Sequence, residues 1–234
     1  MTKTSLNSAE ILRGPVDICS PDPRMDRGEA SNEEALRHRH AAIEPLHLPE
    51  AVPESVRVHF ETAKNVWLYA WFVYRFHMVA VQYVLTTLEF AARTRYEQLG
   101  FIEPDAERKP GLKFLLKDAQ ERGLISNGRC GPSKRRASIR AKQRQEFEVM
   151  RAMQALGVEE QVWEFSDSDV RPEDWEDWLS HVVDALPKRR NDHAHGTPML
   201  HPAVLGTFET VHDLICQLWA TGTVGGAEGG NTSD

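Results

Sequence analysis

The longest helical pattern in this chain occupies residues 54–99, ESVRVHFETAKNVWLYAWFVYRFHMVAVQYVLTTLEFAARTRYEQL. Its apolar side chains recur at three- and four-residue steps, the spacing of one helix face: Phe60, Ala63, Trp67, Trp71, Tyr74, Met78, Val81, Leu85, Leu88 and Ala92. Val66, Phe72, Val79 and others make its remaining faces apolar as well. We predict one long central helix from about Glu54 to Leu99, covered on more than one side. This indicates an all-α fold, an antiparallel bundle of about four to six helices.

A transmembrane span is the alternative interpretation of residues 66–85. Arg75, His77 and Gln82 interrupt that span. Placing an arginine near a bilayer centre costs about 2.5 to 3.5 kcal/mol even on the most permissive scale. The pattern therefore favours a bundle core or a dimer interface.

Three polar residues of the predicted central helix, Arg75, Gln82 and Glu89, recur at seven-residue steps and form a narrow stripe. Such a stripe is typical of the solvent edge of a helix. The alternative is that Glu89 faces the polar run at residues 190–196 and orients Arg190 or His195, as a carboxylate fixes an imidazole tautomer.

Three regions divide the chain. Residues 1–53 are rich in proline and charge and form an N-terminal arm, predicted to be partly disordered, with a short helix from about Asn32 to Ile43. The run 37–40, Arg-His-Arg-His, is predicted to be a solvated helix face. Residues 54–221 form the helical domain, and the glycine-rich residues 222–234 are predicted to be a flexible, disordered tail.

A second helix is predicted from Gly111 to Gly123, with Leu112, Leu115, Leu116 and Ala119 facing inward. The segment 129–144 then carries seven basic residues and no acidic one. Its first half is predicted to be a loop, and helix is predicted from Ala137 onward. The segment is either a phosphate-contacting patch, with Lys134, Arg135 and Arg136 as nucleic-acid-binding residues, or a basic loop balanced by the acidic stretch 159–184.

Two further helices follow. Residues 169–172 predict the start of a helix that buries Trp175, Trp178, Leu179, Val182, Val183 and Leu186 and is kinked or restarted at Pro187. The closing helix is predicted from Pro202 to about Ala220, with Val204, Leu205, Phe208, Val211, Leu214, Ile215, Leu218 and Trp219 in the core.

The run 190–196, Arg-Asn-Asp-His-Ala-His-Gly, lies between these two helices and combines a permanent cation, an amide and titratable imidazoles. A guanidinium can hold a phosphate through its planar fork of donors. A histidine exchanges protons near neutral pH. These groups are the ones that cleavage of a phosphodiester requires.

The form Arg190-Asn191-x-x-Ala194-His195-Gly196 resembles the Arg-(4 to 6 residues)-His motif of the HEPN superfamily. The resemblance implies an all-helical, metal-independent endoribonuclease with Arg190, Asn191 and His195 as catalytic residues and no cofactor. It also implies RNA as substrate, a homodimer whose two motifs share one cleft, and a toxin or phage-defence role with a partner such as an antitoxin. The alternative is a non-catalytic HEPN-like module that binds a nucleotide or a protein.

The geometry of an α-helix is a second reason to expect a dimer. Five steps of about 100° leave Arg190 and His195 some 140° apart on an unbroken straight helix. They converge only if the arginine stem wraps round, the turn is distorted or a second copy contributes. His193 is an alternative base, and a clamp of His193 and His195 with Asp192 or His201 is the metal alternative, although a metallohydrolase needs further ligands.

The composition of the chain bears on how it binds nucleic acid and on its location in the cell. The formal net charge of −7 argues against a protein that coats nucleic acid indiscriminately, so RNA contact requires a local basic patch. Cys19, Cys130 and Cys216 have neither metal nor disulfide spacing, which is typical of a reducing cytoplasm. The first residues lack the apolar core of a signal peptide, and a cytoplasmic location is predicted.

Overall fold

The all-α prediction is confirmed. A computed structural model describes residues 8–25, 32–195 and 200–220, and these ranges contain no strand. Their α-helices are α1 (Asn32–Ile43), α2 (Glu54–Tyr69), α3 (Phe76–Gln98), α4 (Leu112–Glu121), α5 (Gly131–Leu156), α6 (Trp178–Ala194) and α7 (Leu205–Trp219). Single 3-10 turns occupy Ser8–Glu10, Asn127–Arg129, Asp167–Asp169 and Pro172–Asp174. Within the described residues, no helix is both long and apolar enough to cross a membrane. The tail predicted at residues 222–234 lies outside the described ranges.

The prediction of one central helix is wrong, because residues 70–75 separate α2 from α3. The two helices pack as an antiparallel hairpin: His59, near the start of α2, is hydrogen-bonded to Tyr83 of α3 at 2.8 Å and its ring touches Phe90. α2 and α3 each cover an apolar face of the other. This explains why apolar residues occur on nearly every face of the pattern in residues 54–99.

The break is stabilised from a distant segment. The backbone N–H of Asp22 donates to the carbonyl of Trp71 at 3.0 Å, and the Asp22 carboxylate accepts the N–H of Tyr74 at 3.0 Å. Neither glycine nor proline interrupts residues 70–75, so local sequence gives no stop signal. The arm, more than forty residues away along the chain, supplies the partners of the turn's backbone groups.

The core lies where the hairpin meets α4, α6 and α7. The ring of Phe60 meets that of Phe208 edge-on, with centroids 6.3 Å apart, and joins α2 to α7. The indole N–H of Trp219 donates to the Gln98 side chain at 3.2 Å and joins the ends of α7 and α3. α7 begins at Leu205 rather than Pro202, but seven of its eight predicted core residues are buried, Leu205 being half-buried.

The prediction for α4 is confirmed. Leu112, Leu115, Leu116 and Ala119 are its buried residues. Gly123 follows the helix with a φ of +71°, a conformation that favours glycine and stops the helix. Amphipathic spacing and a glycine stop were therefore sufficient to place this element.

The loop predicted in the first half of the basic segment is wrong, because α5 already begins at Gly131. Pro132 suits the first helical turn, where its missing N–H has no intrahelical partner to lose. The Gly131 N–H donates to the Asp213 carboxylate at 2.9 Å. Contact with α7 thus starts the helix six residues early.

α6 also differs from its prediction. It begins at Trp178, with the Asp177 carboxylate accepting the Ser180 N–H at 3.3 Å, and Trp175 is exposed rather than buried. The helix does not restart at Pro187, since α6 continues to Ala194. An interior proline costs about 3 kcal/mol. Leu186 and Pro187 are both buried, so packing offsets that cost.

Part of the arm packs on the molecule. The helix predicted at Asn32–Ile43 is confirmed as α1, but Arg39 is not on a solvated face. Its guanidinium donates to the Trp67 carbonyl at 2.7 Å and lies 4.1 Å from the centre of that indole ring. Residues 8–25 lie against the hairpin turn, where Glu10 pairs with Arg24 and Arg75.

Asp22 is the residue that fastens the arm to the turn. Burial raises the pKa of its carboxyl, but hydrogen bonds from Arg24 and the Tyr74 N–H outweigh burial and lower the pKa to about 2. We expect Asp22→Asn to lower the free energy of unfolding by about 2 kcal/mol, the scale of hydrogen bonds to a buried charge. Hydrogen exchange in peptides from residues 8–25 and 70–76 should accelerate, whereas the exposed control Asp17→Asn should leave it unchanged.

The lowered pKa of the Asp22 carboxyl predicts that the stability of the fold depends on pH. Because the folded-state pKa is depressed, the stabilisation is complete above about pH 4 and is lost as pH falls toward 2. The difference in unfolding free energy between parent and Asp22→Asn should therefore shrink over that range. A difference that stays constant down to pH 2 contradicts this assignment.

Candidate functional site

The polar run at residues 190–196 was predicted to follow the end of a helix. Its described residues instead form the last turn of α6. Arg190, Asn191 and Ala194 belong to α6, and the His195 N–H donates to the Asn191 carbonyl at 3.0 Å. Gly196 lies outside the described residues. α6, which was predicted to end near Leu186, therefore extends through the motif residues as far as Ala194.

Arg190 continues the inward-facing stripe of α6. It lies seven residues after Val183 and four after Leu186, both buried. Its Nη2 is 3.1 Å from Oε2 of Glu89 on α3, and its side chain is 35% exposed. Helix packing thus directs the motif's cation to one carboxylate while leaving about a third of the side chain accessible.

Glu89 is only 5% exposed, so its placement at a solvent edge is wrong. That interpretation holds for Arg75 and Gln82, which are exposed. The alternative, that Glu89 faces the motif, is confirmed for Arg190. For His195 no such contact occurs within the ranges that the structure covers.

Glu89 is shared by two guanidinium groups, those of Arg93 and Arg190. Arg93 also donates through Nε to the Pro110 carbonyl at 3.2 Å, and Arg190 donates through Nη1 to Oδ1 of Asn191 at 3.2 Å. These contacts tie α3, the segment before α4 and α6 together. They hold the Arg190 fork in one orientation, as recognition of a phosphate requires.

An open groove of about 330 Å³ lies beside this cluster. It is lined by Glu89, Gly111, Leu112, Lys113, Phe114, Pro187, Arg190 and Asn191. The two helices that border it, α4 and α6, run antiparallel, since Lys113 pairs with Asp184 at 3.1 Å and Gln120 bonds Ser180 at 3.1 Å. The start of α4 therefore meets the end of α6 at the groove.

The charged residues that line the groove are Lys113, Arg190 and Glu89, and three further charged residues lie next to them. Glu89 is neutralised by two arginines, and Asp184 lies near both Lys113 and Lys117, so four cations surround two carboxylates. The first turn of α4, residues 112–114, has no side-chain cap, and its free N–H groups carry partial positive charge.

The two histidines lie elsewhere. His195 is exposed, and its imidazole makes no hydrogen bond to a described residue. It does not line the groove, which agrees with its 140° separation from Arg190 on an unbroken helix. His193 is half-buried, about 60° from Arg190, and its pKa is lowered by burial and by Arg189, against the opposing effect of Asp192. The groove beside Arg190 therefore does not include His195 of the same chain.

The basic segment also lies apart from the motif, and much of it is paired. Arg135 bonds Glu209 at 2.9 Å, and Arg140 and Arg144 pair with Glu176 and Asp174 of the acidic stretch. Arg136 lies 5.9 Å from the ring of Trp178, at the start of α6, and Lys134 is exposed. Twelve residues of helix put Arg190 about 18 Å further along.

No group of three or more His, Cys, Asp or Glu side chains in the described ranges could hold a metal ion. A larger, mostly apolar cavity of about 750 Å³ lies between residues 9–24 of the arm and residues 69–76 at the hairpin turn. It contains no residue of the polar run.

The sequence did not single out Arg93, Lys113 or Phe114. Arg93 lies four residues after Glu89, a spacing typical of helical ion pairs, and was the one detectable signal. Comparisons of the chain with models of protein families, with curated proteins and with solved structures found no match. The contacts of Arg190 and the groove beside it are therefore the basis for a function.

Proposed function

We propose that this chain is a metal-independent endoribonuclease of the HEPN type. The observation that carries the proposal is Arg190, fixed by the buried Glu89 and by Asn191 while facing an open groove that Lys113 also lines. A guanidinium oriented in this way is suited to hold a phosphodiester and the extra charge of its transition state. A role as toxin or phage-defence effector, with an antitoxin or other partner, follows from the family resemblance alone.

The reaction we propose is transesterification within RNA. His195 removes the proton of a ribose 2'-hydroxyl, and the 2'-oxygen attacks the adjacent phosphorus. The 5'-oxygen leaves with a proton from a second His195 or from water, while Arg190 stabilises the phosphorane and Asn191 positions Arg190 or the phosphate. The products are a 2',3'-cyclic phosphate and a 5'-hydroxyl.

We propose that the site is completed by a second copy of the chain. Arg190 lines the groove and His195 does not, and the two residues project from different sides of α6. In a two-fold dimer, the partner's His195 supplies the base.

The test is cleavage of total cellular RNA by the purified protein in EDTA. We expect fragments ending in a cyclic phosphate, and we expect His195→Ala to reduce the rate at least about 100-fold, the typical contribution of a general base. His181→Ala is the matched control, because it removes another exposed histidine of α6 and should retain parental activity.

Equal cleavage by parent and His195→Ala contradicts the assignment of the base. Cleavage by neither protein, with both folded, contradicts the ribonuclease proposal and favours the alternative, a nucleotide- or protein-binding module.

A further inference from the structure

Phe114 is an exposed aromatic side chain beside Arg190. It is 58% exposed and lines the groove that holds Arg190 and Asn191. Two other exposed phenylalanines are covered by a cation: Arg122 lies 4.2 Å from the ring centre of Phe101, and Arg151 lies 4.9 Å from that of Phe147. Within the described ranges, no aromatic or cationic partner covers Phe114.

The backbone of Phe114 is held in α4, although its ring is exposed. It belongs to the first turn of α4, between Lys113 and the fully buried Leu115. The ring therefore sits on a rigid element and lines the same groove as Lys113 and Arg190. Burying a phenylalanine side chain is favourable, and this one is left for a ligand to cover.

The groove's chemistry fits one nucleotide. Its volume of about 330 Å³ is at the small end of ligand sites, and its wall combines phosphate-binding cations, an amide and an aromatic face. Proteins that bind single-stranded nucleic acid use this combination, a positive track for the backbone with aromatic rings for the bases.

We propose that Phe114 is the stacking platform for the nucleobase adjacent to the phosphate that Arg190 holds. This inference rests on the proposed ribonuclease function and specifies its substrate as single-stranded RNA, because a base must leave its helix to reach the ring. Every base has a π-face, so Phe114 confers a preference for unpaired RNA rather than for one sequence.

The experiment measures binding in the His195→Ala background, which prevents cleavage. Two fluorescein-labelled probes are compared by anisotropy: a decamer of adenylates, and a decamer of the same charge and length without bases. We expect Phe114→Ala to weaken binding of the adenylate decamer about 5- to 100-fold, the effect of losing one stacked base, and to leave binding of the abasic decamer unchanged. Phe114→Tyr should restore binding to within about threefold of the parent, because it keeps the π-face.

Phe147→Ala is the control, since Phe147 is 55% exposed on α5 and does not line the groove. It should bind both probes as the parent does. Equal binding of the adenylate decamer by parent and Phe114→Ala overturns the inference, as does an equal loss for both probes, which indicates a change in the fold around the groove.

The two proposals fail differently. If cleavage depends on His195 but Phe114→Ala binds the adenylate decamer normally, only the stacking inference is wrong. If the parent neither binds nor cleaves RNA, the ribonuclease proposal is wrong and the stacking inference is overturned with it.

Discussion

An equimolar mixture of Arg190→Ala and His195→Ala chains should cleave RNA at about a quarter of the parental rate, although each variant alone should be at least about 100-fold less active. The reason is geometric. α6 is continuous from Trp178 to Ala194, so Arg190 and His195 face different directions, and each complete site takes its arginine from one chain and its histidine from the other. In a mixed dimer one site lacks both residues and the other has both.

The expected recovery follows from random pairing. About half of the dimers are mixed, and each of these has one of two sites intact. The measurement is the initial rate of RNA cleavage in EDTA after subunit exchange. Mixing Arg190→Ala with a chain carrying both substitutions is the control and should remain inactive.

No recovery after verified exchange contradicts the shared site. Both residues then act within one chain, and they converge because the arginine stem wraps round the helix or because its last turn is distorted. Recovery in the control mixture indicates a contaminating nuclease.

Glu89→Gln should lower both stability and activity. Removing the carboxylate leaves Arg93 and Arg190 without their common partner at a position that is 5% exposed. Breaking a buried ion pair in this way costs about 3 to 5 kcal/mol, and because each arginine side chain is about one-third exposed we expect about 2 to 3 kcal/mol. Cleavage should fall at least about tenfold where the variant is fully folded, because the Arg190 fork loses its orientation.

Glu97→Gln is the matched control on the same helix. Glu97 pairs with Lys109 at 2.8 Å near the surface, so its loss should cost less than about 1 kcal/mol and leave cleavage unchanged. Urea titrations give the stability differences, and initial rates give the activity.

A double-mutant cycle separates positioning from general stability. If Glu89 acts through Arg190, the stability cost of Glu89→Gln should shrink by about 1 kcal/mol or more in the Arg190→Ala background. Glu89→Gln with parental stability and parental cleavage contradicts the role assigned to this carboxylate.

These predictions depend on two groups of site residues. The sequence predicted one group, and only the structure revealed the other. The motif residues Arg190, Asn191 and His195 came from the sequence, and Glu89 was one of two alternatives there. Lys113 and Phe114 were not singled out, because nothing in their local pattern distinguishes them from an ordinary solvated helix start. The groove joins residues 89, 111–114 and 187–191, and only the packing of three helices brings these together.

The sequence by itself determined the elements whose signals are local. The spacing of apolar residues predicted the four buried residues of α4 and the core positions of α7, and Gly123 predicted a helix stop. A period of 3.6 residues is set by neighbours three and four positions apart, so it is visible without the fold.

Tertiary structure decided the rest. The α2–α3 break is stabilised by Asp22 of the arm, the start of α5 by Asp213 of α7, and the helix through Pro187 by burial against its neighbours. Each outcome depends on hydrogen bonds or packing between segments far apart in sequence, which outweigh local preferences of a few kcal/mol. The same long-range packing buries Glu89, turns Arg190 toward the groove and leaves His195 facing away from it.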